Sequence, residues 1–164
     1  MEELKDIIVK QKLGGGNFGE VFLGTWSGTN VALKRLNSGE IAAFQLEASI
    51  LCSLQHPNIV RLLGLFRRSD ETFMVMEYVA LGSLQSLLRK QNELSIEDKL
   101  NMIITGCRGM VYLEQKNIIH RDISARNLLV TKENDKYVCK ISDFGLSRNT
   151  QEYEMEGKVL PIRW

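Results

Sequence analysis

The chain has 164 residues, 44% of them apolar and 25% charged. That balance belongs to a globular domain large enough to bury a core, and it excludes disordered and collagen-like classes. With 21 Lys and Arg against 20 Asp and Glu the formal charge is +1, so composition gives no support for nucleic acid as the main partner.

The opening Met1-Glu2-Glu3-Leu4-Lys5-Asp6 is too charged for a signal peptide. No apolar run approaches the ~18 residues of a membrane span, so no membrane segment is expected in this chain. Cys52, Cys107 and Cys139 are odd in number and form no CxxC pair. They are read as small buried hydrophobes in a reducing compartment, which predicts a cytoplasmic, intracellular location and fits the intracellular part of a larger protein.

The first third reads as short strands broken by glycine: Ile7–Leu13, Val21–Trp26 and Thr29–Leu36, the last two joined by Ser27-Gly28. A helix follows from Ser38 to Leu54, with Phe44, Ala48 and Leu51 on one face. Glu47 falls inside that stripe, where a carboxylate is costly unless paired, so it calls for a cationic partner. After the turn His56-Pro57-Asn58 come strands at Ile59–Phe66 and Thr72–Tyr78. His56 is expected to serve the turn or the core.

Periodicity becomes helical from Gly82. Ser83 can cap a short helix carrying Leu84, Leu87 and Leu88. Ser95 and Asp98 have capping-box spacing at the start of a helix running to Lys116. In it Leu100, Ile103, Ile104, Cys107, Met110 and Val111 recur at 3–4 spacing and predict the core-facing side. Strands first and helices later, with a boundary near Val79–Gly82, predict a small sheet-rich lobe joined to a larger helical one.

Four segments carry chemistry. Gly14-Gly15-Gly16-Asn17-Phe18-Gly19-Glu20-Val21 holds G-x-G-x-x-G-x-V between two strands. Its glycines would let backbone amides approach phosphates, although alone the segment fits a hairpin without a ligand better. A dinucleotide-binding motif is disfavoured, because that motif opens a helix. Val31-Ala32-Leu33-Lys34 ends a strand on a lysine that either snorkels to water or answers the demand of Glu47. His120-Arg121-Asp122-Ile123-Ser124-Ala125-Arg126-Asn127 matches H-R-D-x-x-x-x-N on a tight loop. Asp143-Phe144-Gly145 lies sixteen residues past Asn127, just after the strand Tyr137–Ile141.

In this order and spacing the set resembles the eukaryotic protein kinase domain, in its tyrosine kinase or tyrosine-kinase-like group, from about Ile7 to Trp164. The resemblance implies an α+β fold of two lobes, a β-rich N-lobe at 7–79 and a helical C-lobe whose first part is 80–164. It implies ATP and Mg2+ as cofactors and a protein substrate with a phosphorylatable hydroxyl. Asp122 would accept the proton of that hydroxyl. Because a carboxylate is too weak a base to strip a phenol in the ground state, it would orient the hydroxyl and take the proton late. Asn127 and Asp143 would hold the metal, and Lys34, held by Glu47, would clamp the α- and β-phosphates under the loop of Gly14, Gly15, Gly16, Asn17, Phe18 and Gly19. Leu13, Val21, Ala32 and Leu129 would sandwich the adenine. Met76 would stand behind it, and backbone groups of Glu77 and Val79 would read its edge. Leu51, Leu62, His120 and Phe144 match a hydrophobic column that links the lobes, giving His120 a structural role.

Ser124 stands where serine/threonine kinases carry lysine, and Arg126 lies two residues further, as in tyrosine kinases. Asp143-Phe144-Gly145-Leu146-Ser147-Arg148 and Leu160-Pro161-Ile162-Arg163-Trp164 agree with that group. Ser124 departs from its alanine or arginine and leaves serine/threonine or dual specificity open. Tyr153 is the candidate phosphosite, with Arg121 as the cation to receive its phosphate. The A-P-E segment is not reached by Trp164, so an incomplete C-lobe, weak stability and exposed helix surface are expected. A nucleotide-binding scaffold without catalysis and a kinase-like interaction module are the alternative readings.

Overall fold

Nine strands and three helices follow one another in the computed structural model, which describes residues 2–16, 19–36, 41–90 and 93–149. They are β1 (Ile7–Gly16), β2 (Gly19–Trp26), β3 (Thr29–Arg35), α1 (Ile41–Ser53), β4 (Leu62–Arg68), β5 (Glu71–Glu77), α2 (Leu84–Lys90), α3 (Ile96–Gln115), β6 (Ile118–Ile119), β7 (Leu128–Glu133), β8 (Lys136–Ile141) and β9 (Arg148–Asn149). β1 to β5 make one antiparallel sheet in the order β1-β2-β3-β5-β4. β6 pairs with β9 and β7 with β8. The two-residue turns Ser27-Gly28 and Asn134-Asp135 have positive φ at both positions, the conformation that suits tight hairpins.

Strand alternation divides the large sheet into two faces. The register Val21↔Lys34, Leu23↔Ala32, Ala32↔Met76 and Lys34↔Met74 puts these residues on the side toward α1. There Met74 joins Ala48, Leu51, Leu54 and Phe144 in a core that continues into the helical lobe. The opposite face buries Val31, Leu33, Phe66, Phe73 and Val75, together with Leu4 and Ile7. Glu2–Leu4 lie along the outer edge of β4, with Leu4 N–H donating to Leu65 O at 2.7 Å and Leu65 N–H to Glu2 O at 2.9 Å. That edge pairing lies upstream of the region where the motifs begin. It requires Gly64, since a Cβ there would lie 2.7 Å from the Glu2 carbonyl oxygen.

β4 starts three residues later than expected. Ile59 and Val60 instead pair with β8, Val60 N–H donating to Ile141 O at 2.9 Å. The Asn58 side chain donates to Cys139 O at 3.0 Å. This loop therefore joins the sheet lobe to the helical lobe through backbone bonds. α1 is described from Ile41, so the expected start at Ser38 lies outside the described residues.

The capping box of α3 is present, Asp98 N–H donating to Ser95 Oγ at 3.0 Å and Ser95 N–H to Asp98 Oδ2 at 3.2 Å. Ser83 likewise accepts from Ser86 N–H at 3.2 Å. The apolar face of α3 is uncovered, which corrects its reading as core-facing and agrees with the exposed helix surface that was expected. Leu100, Ile103, Ile104, Cys107, Met110 and Val111 are exposed, and the buried side is Met102, Thr105, Gly106, Gly109 and Leu113. Small residues win that side because β8 and the Asn58 carbonyl come so close: a Cβ on Gly109 would lie 2.8 Å from Asn58 O. Two of the three cysteines also depart from expectation, for Cys52 and Cys107 are exposed. Cys139 is fully buried, its thiol pushed up to about 11 by burial. No helix among the described residues is long and apolar enough to cross a membrane.

Candidate active site

β3 and α1 bring the first two site residues together. Lys34 lies on the inner face of β3 and Glu47 on the inward side of α1, with side chains 8% and 6% exposed. Lys34 Nζ donates to both Glu47 carboxylate oxygens at 2.7 Å. The cationic partner demanded by a carboxylate in an apolar stripe is therefore this lysine. Burial pushes the Glu47 carboxyl above its usual range, while the Lys34 ammonium and the Phe144 backbone amide pull it back. Lys34 Nζ also reaches Asp143 Oδ1 at 3.3 Å. One ammonium thus joins strand, helix and the Asp143-Phe144-Gly145 segment.

The loop after β6 carries the other acid. Asn127 Nδ2 donates to both Asp122 O and Asp122 Oδ2 at 2.8 Å. The side-chain carbonyl of Asn127 remains its lone-pair donor for a cation. Asp122 and Asp143 side chains are each 25% exposed. Arg126 is outside this pocket of order, 65% exposed, with Nη2 3.8 Å from Asp122 Oδ1.

His120 supports the loop from beneath. Its Nε2 donates to Ser142 O at 3.0 Å and its Nδ1 accepts from Asp122 N–H at 3.3 Å. The two bonds together fix the neutral tautomer, and burial holds its pKa below the ordinary value. Its ring meets Phe144 edge-on at 4.8 Å. Phe144 and Leu51 share one core, with Leu62 packed against it, so the expected column is assembled. His56 serves its turn, accepting from Asn58 N–H at 3.0 Å and stacking on Tyr112 at 4.7 Å.

The glycine segment forms the β1–β2 hairpin, with Gly14↔Val21, Gly15↔Glu20 and Gly16↔Gly19 paired. Gly14 shares the inner side with Val21 and Lys34, and a Cβ there would meet open space. Gly19 takes φ 106°, a value that favours glycine. Asn17, Phe18, Tyr153 and 160–164 lie outside the described residues. Ala32 and Met76 are paired on the inner face beside Val21, whereas Leu13 is 43% exposed. Leu129 is bridged to Ser83. Glu77 N–H donates to Arg61 O at 3.0 Å. Val79 is buried. The Glu77 side chain meets Lys140 Nζ at 3.1 Å, an ion pair between β5 and β8 that sequence reading did not anticipate.

Two further site features escaped that reading. Arg121 and Asp143 adopt φ 67° and 63°, left-handed values uncommon outside glycine. The Arg121 Nε donates to Leu146 O, and Arg121 lies beside the short β6–β9 pairing. A positive-φ aspartate has no composition signal.

The oxygen donors of Asp143 and Asn127, with Asp122 beside them, suit a hard cation such as magnesium. Magnesium is usually held by one or two carboxylates together with substrate phosphates. A strand lysine bonded at once to a helix carboxylate and to Asp143, with the Asp122–Asn127 pair on the loop after β6 and a glycine hairpin on the same sheet as the lysine, fits the protein-kinase class. The protein tyrosine and serine/threonine kinase family model matches residues 7–164, and the chain belongs to that family. Tyrosine-protein kinase csk-1 of Caenorhabditis elegans is 39% identical over 166 residues, which cover 97% of this chain and 30% of that protein. Human tyrosine-protein kinase Fer is 41% identical over 169 residues, with 98% and 20% covered. Human tyrosine-protein kinase ABL2 is 40% identical over 171 residues, with 99% and 14% covered. The chain spans less than a third of the length of these relatives.

Proposed function

We propose that the chain carries the ATP-binding and phosphoryl-transfer site of a protein-tyrosine kinase. The observation that supports this best is the single ammonium of Lys34 bonded at once to Glu47 and to Asp143. That arrangement presents a fixed positive charge to α- and β-phosphates entering under the β1–β2 hairpin. Val21, Ala32 and Leu129 would cover the adenine, and the backbone of Glu77 and Val79 would read its edge.

Asp122 is oriented by two hydrogen bonds from Asn127. It would accept a bond from the substrate hydroxyl and take its proton as the new O–P bond forms and the bond from the γ-phosphorus to the β,γ-bridging oxygen breaks, releasing ADP. A divalent cation on Asp143 and Asn127 would neutralise charge on the phosphate oxygens when bound. Positioning and charge stabilisation supply most of the acceleration in such a transfer.

Tyrosine as acceptor is supported by Ser124 and Arg126 at the positions that differ from serine/threonine kinases, and by relatives named as tyrosine-protein kinases. The test is radiolabelled phosphate transfer from Mg-ATP to tyrosine and to serine/threonine peptides, with Asp122→Asn as control. Transfer to tyrosine that the variant lacks is expected. Transfer confined to serine or threonine would refute the specificity. Mg-ATP binding without transfer would replace the enzyme by the scaffold reading.

A further inference from the structure

Five charged side chains form an unbroken ladder on the outer side of the large sheet, one from each strand. Lys12 of β1 pairs with Glu20 of β2, and Glu20 with Arg35 of β3. Arg35 Nη1 then donates to Glu71 of β5 at 2.8 Å, and Arg68 of β4 donates to the other Glu71 oxygen at 3.1 Å. The signs alternate and the members follow the strand order β1-β2-β3-β5-β4 without a gap. The guanidinium of Arg35 also stands over the Phe22 ring, 5.7 Å from its centroid. The hydrogen bond from Lys12 holds the Glu20 carboxyl below its usual range, and the bond from Arg35 does the same for Glu71.

Placement gives the ladder a consequence. Glu20 immediately precedes Val21, and Arg35 immediately follows Lys34, while Val21 and Lys34 are register partners on the inner face. Successive strand residues point to opposite sides, so the Glu20–Arg35 pair lies back to back with the Val21–Lys34 pair. Exposed ion pairs contribute little to global stability one by one. Anchoring both sides of a two-strand register is a local effect that does not need a large global one.

We propose that Glu20 and Arg35 are positioning residues for the nucleotide cleft: the outer ladder fixes β2 against β3 and so sets the spacing of Val21 and Lys34. This rests on the kinase reading for its functional meaning, but the mechanical effect is independent of it. Arg35 is the central member because its planar fork bridges two carboxylates at once, a task lysine performs poorly.

The full chain would be compared with Glu20→Gln and Arg35→Lys, and with Glu97→Gln as a remote control on α3. Backbone hydrogen exchange without nucleotide is measured first, in about 0.1 M and about 1 M salt, where the screening length falls from ~10 to ~3 Å. Mg-ATP affinity and melting temperature follow. Glu20→Gln should speed exchange around Val21 and Lys34 and weaken Mg-ATP binding about two- to fivefold, the size expected of exposed pairs. High salt should loosen the same amides in the parent and have less effect in that variant. Arg35→Lys should fall between the two, and Glu97→Gln should match the parent. Unchanged exchange at Val21 and Lys34 in Glu20→Gln overturns the proposal. So does a general loosening with a lowered melting temperature, which would mark a merely structural role. If the parent fails to bind Mg-ATP, the kinase reading fails while the exchange measurement still decides the ladder.

Discussion

The Lys34–Glu47 pair is the sharpest place to separate function from stability. Both side chains are nearly sealed from water, at 8% and 6% exposure, and both carboxylate oxygens lie 2.7 Å from Nζ. Removing one member of such a pair strands the other and costs about 3–5 kcal/mol. Glu47→Leu leaves the ammonium near Asp143 at 3.3 Å, whose side chain is 25% exposed, so about 3 kcal/mol is expected there. Lys34→Met leaves a carboxyl that burial already pushes up, and it can take a proton instead of staying charged. Its cost is also set at about 3 kcal/mol. The double variant puts two apolar side chains in the same space and should lie within about 1 kcal/mol of the parent. For a chain of this size each single variant should melt about 6–12 °C lower. Urea unfolding gives the cycle and calorimetry the melting shift, while phosphotransfer should be lost in all three. A single variant as stable as the parent, or a double variant equal to the sum of the singles, would refute the reasoning. Recovery of stability without recovery of activity would show that the pair is kept for its chemistry.

Four other variants have outcomes set by packing, capping and burial. Gly109→Ala should destabilise by about 1–3 kcal/mol through contact with Asn58 O at 2.8 Å. Gly106→Ala, with nothing within 4 Å of its added Cβ, should stabilise by up to ~1 kcal/mol from helix propensity; equal effects of the two in urea titrations would contradict the close approach. Ser95→Ala removes the accepting half of the capping box and should cost about 1 kcal/mol, read as a lower denaturation midpoint with an unchanged slope. Burial holds both His120 and His56 below the ordinary imidazole value. Between that value near ~6.5 and the lowered folded one, the unfolded chain binds the extra proton, so stability falls as pH drops through the window. His120→Phe should flatten that acid slope, and an unaltered slope would count against the assignment.

The groups that do chemistry were legible because their types and spacing are demanded together. Glu47 announced a cation by sitting in an apolar stripe, and Lys34 was the strand lysine able to supply it. The lost information lies where the fold turns on which surface meets which. The apolar stripe of α3 satisfied the periodicity rule, yet the helix presents Thr105 and Gly109 to β8. Thr105 Oγ1 receives the Cys139 backbone N–H at 2.9 Å and donates to Asn101 O at 2.7 Å. A contact built from a hydroxyl and the missing side chain of Gly109 has no hydrophobic signature. Ile59 and Val60 misled in a similar way, because strand-forming residues were paired with a strand far along the chain instead of with their neighbour.

The strained residues follow the same logic. Arg121 and Asp143 both hold left-handed backbone angles, a conformation that costs about 1–3 kcal/mol each and persists only where surroundings enforce it. Here the enforcement is visible bond by bond. The His120 ring ties Ser142 O to Asp122 N–H, Ser142 N–H and Oγ both donate to Asn127 O at 2.8 and 3.0 Å, and Ser147 Oγ donates to His120 O at 3.3 Å. Together these bonds tie the Asp122 loop to the Asp143 segment through the immediate neighbours of the two strained residues, His120 and Asp122 beside Arg121 and Ser142 beside Asp143. These bonds join backbone groups to the His120 ring and to two serine hydroxyls, and neither carboxylate is a partner in them. Substituting either carboxylate should leave that frame standing, whereas removing the His120 ring nitrogens should disturb both acids at once.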